Sequence, residues 1–209
     1  MDFAAFTYNP KTRVNVLITP VELIIDENIN PDYKKENKSY TAIWDTGATN
    51  TVISKELAEK LNLTPNGIAV CNTAGGRIEA KKYLISLKLL NGVEIENIHV
   101  TEGIITGSDF LIGMDVITLG DFAISNVEGQ TTFTFRIPSC KRVDFVDESN
   151  AIRLKILENE MKKKEKELIR IGNQLCGCGS GKKLRYCHGK LQIKELRDSI
   201  EEIKKQGHK

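Results

Sequence analysis

Asp45-Thr46-Gly47-Ala48 stands between two apolar runs, Tyr40 to Trp44 and Thr51 to Ile53. A carboxylate placed between buried strands is costly unless it is paired or put to use. Taken alone, the tripeptide also fits a plain turn, with Asp45 and Gly47 as turn residues. Its context points further. Downstream comes Leu111-Ile112-Gly113, followed by Met114-Asp115-Val116-Ile117. A glycine at the end of such a run lets one backbone segment approach another closely. An aspartate at a turn can act as general base on a water molecule. Two facing carboxylates cannot both ionise, so they share a proton, and the protonated one can donate to a carbonyl. The chain holds one Asp-Thr-Gly only. The second acid must come from Asp109, from Asp115 or from a second copy of the chain. A two-fold homodimer with Asp45 of each subunit at the axis is the simplest arrangement.

A second cluster lies near the C-terminus: Cys176-Gly-Cys178-Gly-Ser-Gly-Lys-Lys-Leu-Arg-Tyr-Cys187-His188-Gly189. Three thiolates and an imidazole make a closed tetrahedral set for one structural Zn²⁺ per chain, with no position left open for catalysis. Gly177, Gly179 and Gly181 suit a tight loop around an ion. Lys182, Lys183 and Arg185 offset the negative charge that three thiolates leave. The chain has five cysteines, an odd number, and three fall in this one cluster, which disfavours a disulfide framework.

The elements around these residues differ between the two parts of the chain. Up to about residue 148 the pattern is of short strands and frequent turns. Val14, Val16 and Ile18 alternate with polar residues, Pro20 interrupts, and Val21, Leu23 and Ile25 alternate again. Asp26 to Ser39 reads as a loop. Ser54 offers an N-cap to a short helix over Lys55 to Leu61. Residues 72 to 76 form a turn between strands 68–71 and 77–90, Asn91-Gly92 marks a hairpin, and Thr131 to Ile137 is a late strand. After residue 148 the chain becomes helical. Leu154, Leu157, Met161 and Leu168 lie on one stripe, and Ile193, Leu196, Ile200 and Ile203 on another.

Charge divides in the same place. Basic residues outnumber acidic ones two to one after residue 148 and are outnumbered before it, while the whole chain carries only +2. Two domains are expected, 1–148 and 149–209. No apolar run approaches the roughly 18 residues that a spanning helix needs, and the first residues carry no signal-peptide core, so a soluble cytoplasmic protein with no membrane attachment is expected. The basic second part carries almost no aromatic residue besides Tyr186, which argues against nucleic acid as its partner.

Asp45-Thr46-Gly47-Ala48 together with Leu111-Ile112-Gly113 resembles the retropepsin-like aspartic peptidases over roughly residues 13 to 137. The resemblance implies a mainly β fold, a closed barrel or sandwich with short helices, and an aspartic endopeptidase acting on peptide or protein substrates. It makes Asp45, Thr46 and Gly47 the catalytic set. Ala48 and the flap residues Asn72, Thr73, Ala74, Gly75 and Gly76 become the substrate-binding elements, with no catalytic cofactor. Retroviral enzymes continue the loop with acidic residues that hold substrate, where this chain has Thr49 and Asn50. The segment from Cys176 to Gly189 is similar to the SEC-C motif. That likeness implies a small α-helical hairpin around a zinc knuckle, with Cys176, Cys178, Cys187 and His188 as ligands, recruiting a protein partner or substrate. The alternative is a catalytically weak peptide-binding or adaptor protein on the same dimeric fold.

Overall fold

The computed structural model describes residues 3–36, 38–73 and 76–206. The chain forms two compact units, Met1–Lys141 and Arg142–Lys209. Composition puts the change at 148/149, a few residues inside the helix that opens the second unit. That helix starts earlier because the Asp144 carboxylate accepts from the N–H groups of Val146 and Asp147 at 3.0 and 3.2 Å. An N-cap is a local hydrogen-bonding event, and a charge count along the chain does not register it.

The first unit is mainly β. Its elements are β1 (Ala4–Tyr8), β2 (Ile18–Ile24), β3 (Tyr40–Trp44), β4 (Val52–Ser54), α1 (Lys55–Lys60), β5 (Gly67–Thr73), β6 (Gly76–Lys88), β7 (Glu94–Gly103), β8 (Phe110–Ile112), α2 (Met114–Ile117), β9 (Asp121–Ser125) and β10 (Thr132–Ile137). The larger sheet has the order β2-β3-β8-β4-β7-β6-β5, and a further β2–β6 pairing closes its first six strands into a barrel. The smaller sheet, β1-β10-β9, is antiparallel. Its aromatic side chains meet the barrel at Trp44: Phe133 lies 4.9 Å from the Trp44 ring, Phe135 5.1 Å and Phe122 5.8 Å. Trp44 is almost fully buried, and its indole N–H donates to the buried Thr19 hydroxyl at 2.9 Å. A buried polar atom with its partner in place costs little, so the ring anchors the end of β3 from both sides.

Several local signals gave the observed elements. Ser54 caps α1 by accepting from Leu57 N–H. Asn91 and Gly92 both adopt positive φ, 54° and 73°, between β6 and β7, as a tight hairpin requires. Others did not. Val14 and Val16 lie outside any strand, and Pro20 lies inside β2. The register explains the proline. Trp44 N–H bonds to Leu17 C=O, so bonded pairs recur at 19/42 and 21/40. Pro20, opposite Thr41, falls between them, where its missing N–H would point away from β3 and towards no partner strand. β1 and β9 have no distinct alternating pattern, and they are strands because β10 pairs with both.

In the second unit α3 (Phe145–Ile171) and α4 (His188–Gln206) pack through the expected stripes. Leu154, Leu157, Met161 and Leu168 are half-buried, and Ile200 and Ile203 are buried. A Cβ at Gly189 would stand 2.4 Å from Leu168 Cδ2 and 2.9 Å from the Leu184 carbonyl oxygen, so the helices approach closely there. Among the described residues no helix is long and apolar enough to cross a membrane.

Asp121, at the start of β9, ties down the exit of β10. It accepts from the Ser139 hydroxyl at 2.6 Å, from the Arg136 guanidinium and from Cys140 N–H at 3.1 Å. These donors, Ser139 first, hold its carboxyl well below the usual carboxylate range. A depressed native pKa stabilises the fold above the unfolded-state value near 4, and that contribution is lost as pH falls through the native value. Asp121→Asn is therefore expected to lower the urea midpoint at pH 7, by a deficit that shrinks as pH falls below about 4. Equal midpoints at pH 7 would count against the tie.

Candidate active site and metal centre

Asp45 follows β3 directly. Because β3 and β8 run parallel, with Trp44 opposite Ile112, both strands deliver their next residues to the same end of the barrel. Asp45 N–H bonds to Ile112 C=O at 2.9 Å, so Asp45 and Gly113 emerge side by side. The chain then turns on itself. Gly47 N–H donates to Asp45 Oδ1 at 2.8 Å, and Ala48 N–H reaches Asp45 C=O at 3.3 Å. The carboxylate is half-buried and keeps one oxygen held by its own loop. Thr46 and Gly47 are exposed, and Ala48 is half-buried.

The loop rests on the α2 turn. Met114 N–H donates to Ala48 C=O at 2.8 Å and Asp115 N–H to Thr49 C=O at 3.1 Å. A Cβ at Gly113 would lie 2.5 Å from Asn50 C and 3.0 Å from Ala48 O. The close approach expected of this glycine is thus present, with the aspartate loop as its neighbour. One contributor was missed in the sequence. The buried Thr51 hydroxyl donates to Asp115 Oδ1 at 2.8 Å and receives Gly113 N–H at 3.2 Å, while Thr51 N–H donates to Asp115 Oδ2 at 2.9 Å. Thr51 and Asp115 form a brace beneath the loop. The only available signal was that each falls just after its motif.

Both alternative acids within the chain are therefore engaged. Asp115 has both oxygens in the brace, with Val116 N–H on Oδ1 as well. Asp109 Oδ2 accepts from Thr41 N–H and the Thr41 hydroxyl, at 2.9 and 3.1 Å. Asp109 ties the segment before β8 to β3, and Asp115 ties α2 to the residue that leads into β4.

The expected flap is a long β hairpin. β5 and β6 pair as Cys71 with Ile78, Asn72 with Arg77, and Thr73 with Gly76. The strands reach further than the pattern suggested, so Asn72, Thr73 and Gly76 belong to them. Ala74 and Gly75 lie outside the described residues.

Cys176, Cys178, Cys187 and His188 come together as one group, with their ligand atoms all within 4.8 Å of one another. Cys176 Sγ lies 3.2 Å from His188 Nδ1, Cys178 Sγ 3.5 Å from Cys187 Sγ, and Cys187 Sγ 3.5 Å from His188 Nδ1. Tetrahedral zinc with bonds of about 2.0–2.3 Å needs ligand separations of about 3.5–3.8 Å, and the four donors stand near enough to that spacing to close on such an ion. Backbone N–H groups of Cys178 and His188 bring the Cys176 thiol down to about 7, favouring the thiolate that a metal requires. The loop is closed by Cys176 N–H on Lys182 C=O at 2.8 Å and by Leu184 N–H on Gln174 C=O at 2.9 Å. Gly179 and Gly181 take positive φ, 77° and 67°, inside it.

With this geometry in hand, comparison with known proteins gives the following. Residues 32–118 match the family described as "gag-polyprotein putative aspartyl protease", a segment that contains Asp45, the hairpin and Gly113. No curated protein matches the chain. Among solved structures, a retropepsin-like aspartic protease from Rickettsia conorii is 18% identical, with a TM-score of 0.43, covering 65% of this chain and 96% of its own. EIAV protease in complex with an inhibitor is 18% identical, with a TM-score of 0.38, covering 53% and 89%. Simian foamy virus (mac) protease is 18% identical, with a TM-score of 0.32, covering 47% and 89%.

Two outcomes follow from the site geometry. Gly113→Ala should force the Asp45 loop off the α2 turn and cost about 1–3 kcal/mol in urea unfolding, as overpacking does. An unchanged midpoint would mean the contact is slack. In the second unit, chelation or Cys178→Ser with Cys187→Ser should release about one zinc per chain, measured by atomic absorption, and lower the far-ultraviolet helical signal. A chain purified without metal and with full helicity would refute the metal assignment.

Proposed function

We propose that the chain is an aspartic endopeptidase that works as a two-fold homodimer, each subunit supplying Asp45. The observation that carries this reading is the allocation of carboxylates. Asp45 sits half-buried beside the Gly113 turn within the protease-family segment, whereas Asp109 and Asp115 are taken up by Thr41 and Thr51. A second copy is then the economical source of the second acid.

In that dimer one Asp45 carboxylate removes a proton from a bound water, and the protonated partner donates to the scissile carbonyl. The pair titrates as a unit, so the rate follows a bell with its optimum on the acidic side of neutral. Thr46 places its hydroxyl across the axis, Gly47 leaves room for backbone and water, and Ala48 fills the space behind. The β5–β6 hairpin, with Asn72, Thr73, Ala74, Gly75 and Gly76, closes over an extended peptide. Cys176, Cys178, Cys187 and His188 hold one structural Zn²⁺ in a SEC-C-like knuckle. That module recruits a protein partner or substrate and takes no part in hydrolysis. All five cysteines are unpaired, which agrees with a reducing, cytoplasmic setting.

Cleavage of an unbiased peptide library by wild type and Asp45→Asn, side by side, tests the reading. The substitution should lower kcat/KM at least about a thousandfold with the fold retained, since an amide cannot act as the base. Excess Asp45→Asn chains mixed with wild type should suppress activity through mixed dimers. Near wild-type cleavage by Asp45→Asn would end the assignment, and a fully active monomer in sedimentation would end the dimer.

A further inference from the structure

α3 carries apolar residues on two opposite faces. One stripe, Leu154, Leu157, Met161 and Leu168, is half-buried in the α4 contact. The other runs Phe145, Ser149, Ile152, Ile156 and is open: Phe145 is 69% exposed, Ile152 60% and Ile156 53%. Steps of four, three and four are the spacing of a coiled-coil seam, which keeps one narrow face towards a partner helix. Asn159 and Lys163 continue the same spacing and end the apolar stretch. α4 lies behind this face, and its end is level with the middle of α3, where Lys204 pairs with Glu158 at 3.6 Å.

The residues flanking the seam identify the partner. With Phe145 and Ile152 at d and Ser149 and Ile156 at a, the g positions are Glu148 and Lys155, and the e positions one heptad on are Arg153 and Glu160. In a parallel, in-register pair of identical helices each g residue faces the e residue five positions later on the other helix. Both such contacts are then of opposite charge, Glu148 with Arg153 and Lys155 with Glu160, and each occurs twice across the two-fold axis. All four side chains are exposed, and among the described residues none of them enters an ion pair within its own chain. Residues five apart on one helix do not face each other, so the alternation has no use inside a single α3. An antiparallel pair centred on the same residues keeps Glu148 opposite Lys155 but sets Val146 against Arg153, and it satisfies fewer charges.

We infer that the open face of α3 is a self-association surface whose occupant is the α3 of a second copy of this chain, parallel and in register. The inference rests on the homodimer proposed above and assigns it a contact outside the protease-family segment. Two heptads are too short to hold a coiled coil alone. Joined to a second contact between the same two chains, they act at high effective concentration and tighten the dimer without touching the reacting groups.

The test uses the full chain. Ile152→Glu with Ile156→Glu should raise the dimer dissociation constant at least about tenfold in sedimentation equilibrium. The cleavage-versus-concentration curve should move by the same factor, while kcat at saturating enzyme concentration, zinc content and helical signal stay the same. Glu148→Lys and Arg153→Glu should each weaken the dimer, and the two together should restore it, a rescue that a fault in folding would not produce. Ser149→Cys should form a disulfide-linked dimer on mild oxidation. A dimer whose dissociation constant is unmoved by the double glutamate variant, or by the charge reversals if that variant fails to fold, overturns this inference and leaves the dimeric protease standing. A dimer that never cross-links at Ser149→Cys overturns the parallel register. A wild-type chain that is monomeric and active removes both readings together.

Discussion

Two backbone segments far apart in sequence are held against each other with no side chain between them, and the candidate site depends on that contact. The loop from Asp45 to Asn50 lies on the turn at Gly113, close enough that a single added carbon would reach the Asn50 carbonyl carbon at 2.5 Å. Hydrogen bonds from Met114 and Asp115 to Ala48 and Thr49 fix its height, and the Thr51–Asp115 brace fixes its lateral position. The parallel pairing of β3 with β8 brings the two ends together, and the aromatic cluster around Trp44 keeps β3 from shifting. A carboxylate needed in one place must be held by groups that cannot move independently of it. Here the holding groups are mostly main chain, and they carry little side-chain entropy.

The same contact decides how the acids of this chain divide their work. Three aspartates cluster in sequence around the two motifs, and their types alone do not distinguish them. Their partners do. Asp109 and Asp115 each accept from a threonine hydroxyl and a backbone N–H, the pattern of a carboxylate that ties two chain segments together. Among the described residues Asp45 accepts only from its own loop, its carboxylate from Gly47 N–H, and its neighbour Thr46 is exposed. An acid that is half-buried, held on one side and open on the other is the one of the three free to meet an external group.

Much of this was legible in the residues, for physical reasons that can be named. β3, α1 and the Asn91-Gly92 turn follow from local periodicity, an N-cap and two positive φ angles, all properties of a few adjacent residues. The Cys/His cluster was legible because its four residues are close in sequence, and Gly113 because a glycine ending an apolar run has few other uses. What stayed hidden was non-local. The pairing of Ala4–Tyr8 with Thr132–Ile137 spans almost the whole first unit, and nothing within either segment announces the other. The Thr51–Asp115 brace is a side-chain network between motifs that each read as complete without it. Pro20 signals a break to any local rule, and only the parity of the β2–β3 ladder shows that its missing donor is harmless there.

The second unit gathers four potential metal ligands where its two helices meet. α3 is rich in Lys and Glu, and its apolar residues are divided between opposite faces, so neither stripe alone holds a long helix firmly. The stripe facing α4 is aligned by close approaches at the knuckle end: Leu168 against Gly189, and Arg185 N–H on Gly172 C=O at 3.1 Å. Cys187 and His188 belong to the same turn that launches α4, so the angle between the helices is set where the ligands converge. With its other stripe packed on α4, α3 presents the opposite face already helical. A helix already ordered pays no folding entropy when it meets a second copy. An ion held at the knuckle would thus act on the proposed α3 contact through the order of the helix hairpin, without touching the seam itself.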